Sequence, residues 1–124
     1  MIAVDTSTLV AFLAGEKGRD VETLDAALAH DRVRLPPVVV SEILSAPRAS
    51  AQVERIILAL PTLAIADGYW ERAGRLRRRL LARRLRAPLA DVLICQSCLD
   101  HDLALATRDG DFARFARHCD LRLA

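Results

Sequence analysis

Four acidic residues stand where a carboxylate is either well placed for chemistry or costly to keep. Asp5 follows the apolar run Ile2-Ala3-Val4, and Asp109 lies in the polar turn after Leu103-Ala104-Leu105-Ala106, with Asp111 close behind. Glu42 interrupts Val38-Val39-Val40-Ser41-Glu42-Ile43-Leu44, and Asp91 interrupts Pro88-Leu89-Ala90-Asp91-Val92-Leu93-Ile94. A carboxylate in apolar surroundings is expensive to bury without a partner. Several of them gathered together raise one another's pKa values. A bound divalent cation removes that conflict, and Mg²⁺ or Mn²⁺ favours oxygen ligands. Such ions, singly or as a pair ~3.5–4 Å apart, activate water and neutralise charge on a phosphate in transfer. These residue types therefore suit metal-dependent phosphodiester hydrolysis.

The elements that must position them follow from apolar periodicity. Residues 2–5 read as a short buried strand ending at the polar turn Asp5-Thr6-Ser7-Thr8, where a hydroxyl is placed to cap a helix over 9–14. Apolar spacing predicts helices over about 18–30 and 51–60, with a strand over 33–35 between them. The β-branched run after Pro36-Pro37 favours a strand, but a proline pair suits a helix start, so 38–46 is read as helix. A third strand over 62–65 and a long helix capped by Asp67 and running to about Arg84 come next. Pro88 breaks the pattern before a helix over about 90–99, and a strand over 103–106, a short helix over 112–117 and a last strand over 121–123 follow. Short apolar strands alternating with helices imply parallel strands joined by right-handed crossovers, an α/β fold of three α/β/α layers with a mostly parallel sheet. Ligands in such sheets bind outside the carboxyl ends of the strands. Asp5 and Asp109 both open onto that edge.

In this order, the segments Ile2-Ala3-Val4-Asp5-Thr6-Ser7, Val40-Ser41-Glu42-Ile43-Leu44, Leu89-Ala90-Asp91-Val92-Leu93-Ile94 and Ala106-Thr107-Arg108-Asp109-Gly110-Asp111-Phe112 resemble the PIN-domain ribonucleases. Within them the chain looks like the VapC-type toxin of VapBC toxin–antitoxin pairs. The resemblance covers residues 1–124 as one nuclease domain and implies that Asp5, Glu42, Asp91 and Asp109 surround Mg²⁺ or Mn²⁺. Asp5 and Asp91 rank first as metal ligands and Asp109 next. Glu42 is either a ligand, directly or through water, or a base for the attacking water. The resemblance also implies that Thr6, Ser7 and Thr107 are hydroxyls supporting the acids, and that Asp111 supports the site or caps the last helix. It further implies RNA cleavage, a homodimer, and inhibition by a small VapB-like antitoxin. The rival reading is a PIN-like module that binds RNA or protein without cleaving anything.

Eight arginines lie between Arg72 and Arg86. On a helix, Arg72, Arg75, Arg79 and Arg83 share one face, beside an apolar stripe of Tyr69, Ala73, Leu76 and Leu80. That face is either an electropositive ridge for RNA or an acidic antitoxin, or a solvated outer surface. The stem of Arg77 is expected to be buried, its head reaching a carboxylate or solvent.

The bulk numbers exclude more than they assign. Over 124 residues, 52% hydrophobic content supports a core, and 18 basic against 16 acidic residues leave a net charge of +2. No apolar stretch approaches the ~20 residues of a membrane span, and no secretory signal is visible, so a cytoplasmic protein is expected. Cys95, Cys98 and Cys119 form no disulfide framework, and Cys95 and Cys98 read as buried thiols on a helix. Gly15-Glu16-Lys17-Gly18 lacks the spacing of a phosphate loop. A haloacid-dehalogenase-type phosphotransferase would need an Asp where Ser7 stands, and a receiver domain would need a Lys after a later strand, which is absent. His30 and His101 fall near helix C-termini, where the dipole favours them for structural reasons.

Overall fold

A computed structural model of the chain describes residues 1–124. Its centre is a parallel sheet in which β1 (Ile2–Val4) lies between β2 (Val33–Arg34) and β3 (Ala104–Ala106). Ile2 stands opposite both Val33 and Ala104, and Val4 opposite Ala106. Ala3, Val4, Leu105 and Ala106 are sealed from solvent, as parallel strands covered on both faces must be. Seven helices complete the three α/β/α layers: α1 (Thr6–Leu13), α2 (Arg19–Ala29), α3 (Pro37–Leu44), α4 (Ala51–Ala59), α5 (Tyr69–Ala82), α6 (Leu89–His101) and α7 (Asp111–Ala116).

The strands expected over 62–65 and 121–123 are each reduced to one bridged residue, Thr62 against Leu35 and Leu123 against Leu105. On the first side the reason is proline. The Leu35 N–H donates to the Pro61 carbonyl and the Leu63 N–H to the Leu35 carbonyl, but the next donors along that ladder in either direction would come from Pro37 and Pro61, which have no N–H. Pro37 also settles the fate of the β-branched run that follows. It occupies the first turn of α3, where a helix makes no use of an N–H.

Two helix starts differ from the expectation. α1 is capped by the Asp5 carboxylate, which accepts from the Thr8 N–H at 3.1 Å, and not by a hydroxyl. Asp67 does not cap α5. Gly68 turns the chain at φ 78°, and Arg72 donates to the Asp67 carbonyl at 2.6 Å. Tyr69, Ala73, Leu76 and Leu80 form the buried face of α5 as expected, and the Tyr69 hydroxyl donates to the Leu93 carbonyl on α6 at 2.8 Å. Arg77 is half-buried, and its head meets a carbonyl and not a carboxylate. Its Nε donates to the Ala87 carbonyl at 2.8 Å, fastening the turn between α5 and α6. α6 runs further than predicted, through His101, and its middle (Ile94 to Cys98) is buried all round. No helix is long and apolar enough to cross a membrane.

Candidate metal centre

β1 and β3 are adjacent and parallel, so their carboxyl ends deliver Asp5 and the Thr107–Asp111 turn to one edge of the sheet. The Asp5 N–H donates to the Ala106 carbonyl at 3.1 Å, which locks the two exits together. The Asp5 side chain is only 3% exposed. Its Oδ1 accepts from the Thr8 N–H and from Ser7 Oγ at 2.8 Å, and its Oδ2 accepts from Thr107 Oγ1 at 2.7 Å. Burial raises the Asp5 pKa, opposed by the Thr107, Thr8 and Ser7 donors and reinforced by the charge of Asp109.

Thr107 then passes the order along. Its hydroxyl accepts from the Asp109 N–H at 3.0 Å, and Asp109 Oδ1 accepts from the Asp111 N–H at 2.9 Å. Two further acids arrive on helices. Glu42 projects from α3 and accepts from Thr6 Oγ1 at 2.7 Å. Asp91 sits in the first turn of α6, where the helix dipole favours a negative charge. Even so, its pKa is pushed up to about 6, first by burial and then by the charges of Asp109, Glu42, Asp111 and Asp5. No donor from the chain offsets those effects.

Carboxylate oxygens of Asp91, Asp109 and Asp111 lie within 4.8 Å of one another. These donors are all oxygen, and Asp91 lacks a hydrogen-bond partner, so the site fits a hard divalent ion such as Mg²⁺ or Mn²⁺. The converging trio includes Asp111, which the sequence suggested only as support or a cap. Gly110, not Asp111, occupies the N-cap of α7, and Asp111 also pairs with Arg114 at 2.6 Å. Asp5 stands behind the trio, held by hydroxyls, and Glu42 stands beside it. Thr6, Ser7 and Thr107 each touch one of these acids.

Of the arginine ridge, Arg72 is already engaged. Its Nε and Nη2 fork onto Asp100 at 3.1 and 2.7 Å, while Arg75, Arg79 and Arg83 stay exposed. The sequence reading missed a second ion pair close to the acids. Asp20 on α2 accepts from Thr8 Oγ1 at 2.9 Å and from Arg108 Nε at 2.8 Å and Nη2 at 3.0 Å. Arg108, neighbour to Thr107 and Asp109, thereby ties the turn after β3 to the start of α2. Its position inside a turn between two candidate residues was the only signal available.

A PIN-domain family model matches residues 2–118. The chain belongs to the PIN-domain family. No curated protein sequence matches this PIN domain. Among solved structures it is similar to VapBC2 from Rickettsia felis, crystallised with a DNA fragment from their promoter, at a TM-score of 0.73 and 18% identity, covering 100% of this chain and 98% of that one. FitAcB from Neisseria gonorrhoeae aligns at 0.71 and 21% identity, over 99% and 96% of the two chains. VapBC-5 from Mycobacterium tuberculosis, a member of the VapBC family of toxin–antitoxin systems, aligns at 0.63 and 26% identity, over 98% and 95%.

Proposed function

We propose that this PIN domain is a Mg²⁺- or Mn²⁺-dependent endoribonuclease acting as the toxin of a type II toxin–antitoxin pair. The observation that carries the reading is the convergence of Asp91, Asp109 and Asp111, with Asp5 and Glu42 adding negative charge. A bound divalent cation would supply Lewis-acid chemistry there, activating water and neutralising charge on the scissile phosphate. Asp91 and Asp109 would hold it, with Asp111 or Asp5 completing the set. Asp5 is positioned through Thr107, Ser7 and the Thr8 amide, and Thr107 holds the Asp109 backbone. Glu42, oriented by Thr6, accepts a proton from water or contributes a ligand oxygen. The likeness to VapBC structures supports a VapB-like partner. An apolar groove of about 320 Å³ lined by Val10, Leu13, Ile43 and Val53 opens beside Glu42 and suits an amphipathic segment of such a protein.

Cleavage of a structured RNA with Mg²⁺ or Mn²⁺, with and without EDTA, tests the nuclease reading. Wild type is expected to cut only with metal, and Asp91→Asn and Asp5→Asn to lose at least about a hundredfold in rate. Metal-independent cleavage, or wild-type rates in both variants, would overturn the mechanism. RNA binding without cleavage under any metal would favour the non-catalytic module instead.

A further inference from the structure

Away from the acidic edge, the sulfurs of Cys95 on α6 and Cys119 lie 3.9 Å apart. A disulfide spans about 2 Å, so the two need to close by roughly 1.9 Å. Cys119 lies beyond α7 in a bend, so its approach to Cys95 breaks no helix or strand bond. The pair faces solvent from one side only. Cys119 is half-buried in the wall of a cavity of about 560 Å³, shared with Arg79, His118 and Arg122, and Cys95 lies fully buried behind it.

We propose that Cys119 is a site of reversible thiol oxidation by hydroperoxides, resolved by Cys95 into a Cys95–Cys119 disulfide. The sulfurs are already ordered for it. With the Cys119 proton directed to the Phe115 carbonyl at 3.2 Å, the Cys95 thiol is the one left to donate across the sulfur pair. The hydrogen bond from Cys95 brings the Cys119 pKa down, against burial and with help from the Leu121 amide and Arg79. Burial pushes Cys98 up to about 12, and the hydrogen bond to Cys119 together with burial pushes Cys95 up as well, so what singles out Cys95 as the resolving thiol is its place against Cys119 and not its acidity. In the first step the Cys119 thiolate attacks a peroxide oxygen, the O–O bond breaks, hydroxide leaves, and Cys119 becomes a sulfenic acid. Cys95 sulfur then attacks Cys119 sulfur and the S–O bond breaks. The Cys95 proton goes to the departing hydroxide, so two thiols and one peroxide yield one disulfide and two waters. The bond would staple the segment that pairs with β3 onto α6, one helical turn from Asp91.

The test uses the purified full chain, treated with hydrogen peroxide, alkylated under denaturing conditions and analysed by peptide mass spectrometry. The expected product is an intramolecular Cys95–Cys119 cross-link, two mass units lighter than the dithiol, with Cys98 alkylated. Melting should rise by roughly 5 °C or more on oxidation and return with dithiothreitol. Cys119→Ser should lose the cross-link, Cys98→Ser should keep it, and Cys95→Ala should leave a Cys119 sulfenic acid that dimedone captures. A Cys119 thiol that survives peroxide, a cross-link through Cys98, or one only between chains overturns the proposal.

Discussion

Asp91 is the acid whose surroundings least suit a negative charge. Folding buries it amid four other carboxylates and gives it no donor. Its protonated form is therefore favoured in the metal-free fold. The stability this brings is complete below the ordinary carboxylate pKa near 4 and lost as pH rises through about 6. Two outcomes follow at pH 7.5. Metal-free Asp91→Asn should melt above metal-free wild type, the gap closing near pH 4, and added Mg²⁺ should raise the melting temperature of wild type but not of the variant. Affinity for Mg²⁺, read by calorimetry, should also fall between pH 7.5 and 5.5 as protons compete for Asp91. An Asp91→Asn melt equal to wild type at every pH would show that no repulsion is stored there. Thr107 makes a different prediction, because one hydroxyl serves both Asp5 and the Asp109 amide. Thr107→Val should cost about 1–3 kcal/mol in a denaturant titration and about 10–100-fold in cleavage. At this scale the sequence was informative where an acid broke an apolar run, as with Asp5, Glu42 and Asp91. It could not show that Asp111 turns inward, because two residues in a turn can face anywhere. Nor could it pair Asp20 with Arg108 across 88 positions.

Helices were legible from their apolar spacing, and their ends less so. The buried stripe of α5 was readable because a 3.6-residue period is its direct consequence. Its start was misread because Asp67 has the right side chain for a cap, while Gly68 takes the left-handed turn and leaves Asp67 as a carbonyl acceptor. Its end carries a strain the sequence does not advertise. Arg84 adopts φ 61°, a left-handed conformation that glycine accepts and other residues resist. Arg84→Gly is therefore expected to stabilise the fold by about 1 kcal/mol, measured by urea unfolding, with cleavage unchanged. No change, or destabilisation, would mean that the arginine side chain contributes more than the turn costs. The α2–turn connection gives the opposite sign of pH effect. Arg108 holds the Asp20 carboxyl down to about 2, so its stability is present above pH 4 and lost on acidification toward 2. Arg108→Gln should move the acid-unfolding midpoint, followed by circular dichroism, to higher pH.

For the molecule as a whole, the layered architecture was legible because short apolar strands between amphipathic helices have few ways to be buried. The extent of the sheet was not, since strand pairing depends on which backbone donors survive, and Pro37 and Pro61 remove two of them. The core behind the site is closed by Phe112 and Phe115, stacked edge to face at 5.6 Å and sealed from solvent. Phe115→Ala should cost about 3–5 kcal/mol by chemical denaturation. The homodimer implied by the resemblance should appear in light scattering as twice the 13.7 kDa chain mass, and a single mass at micromolar concentration would remove it. The truncated borders of the sheet have one more effect. Beyond β2 and β3 the backbone offers a stray bridge on either flank and no long open row of amides. A neighbouring polypeptide therefore finds no template on which to extend the ladder, which protects a chain this rich in aliphatic residues from fibrillar self-association.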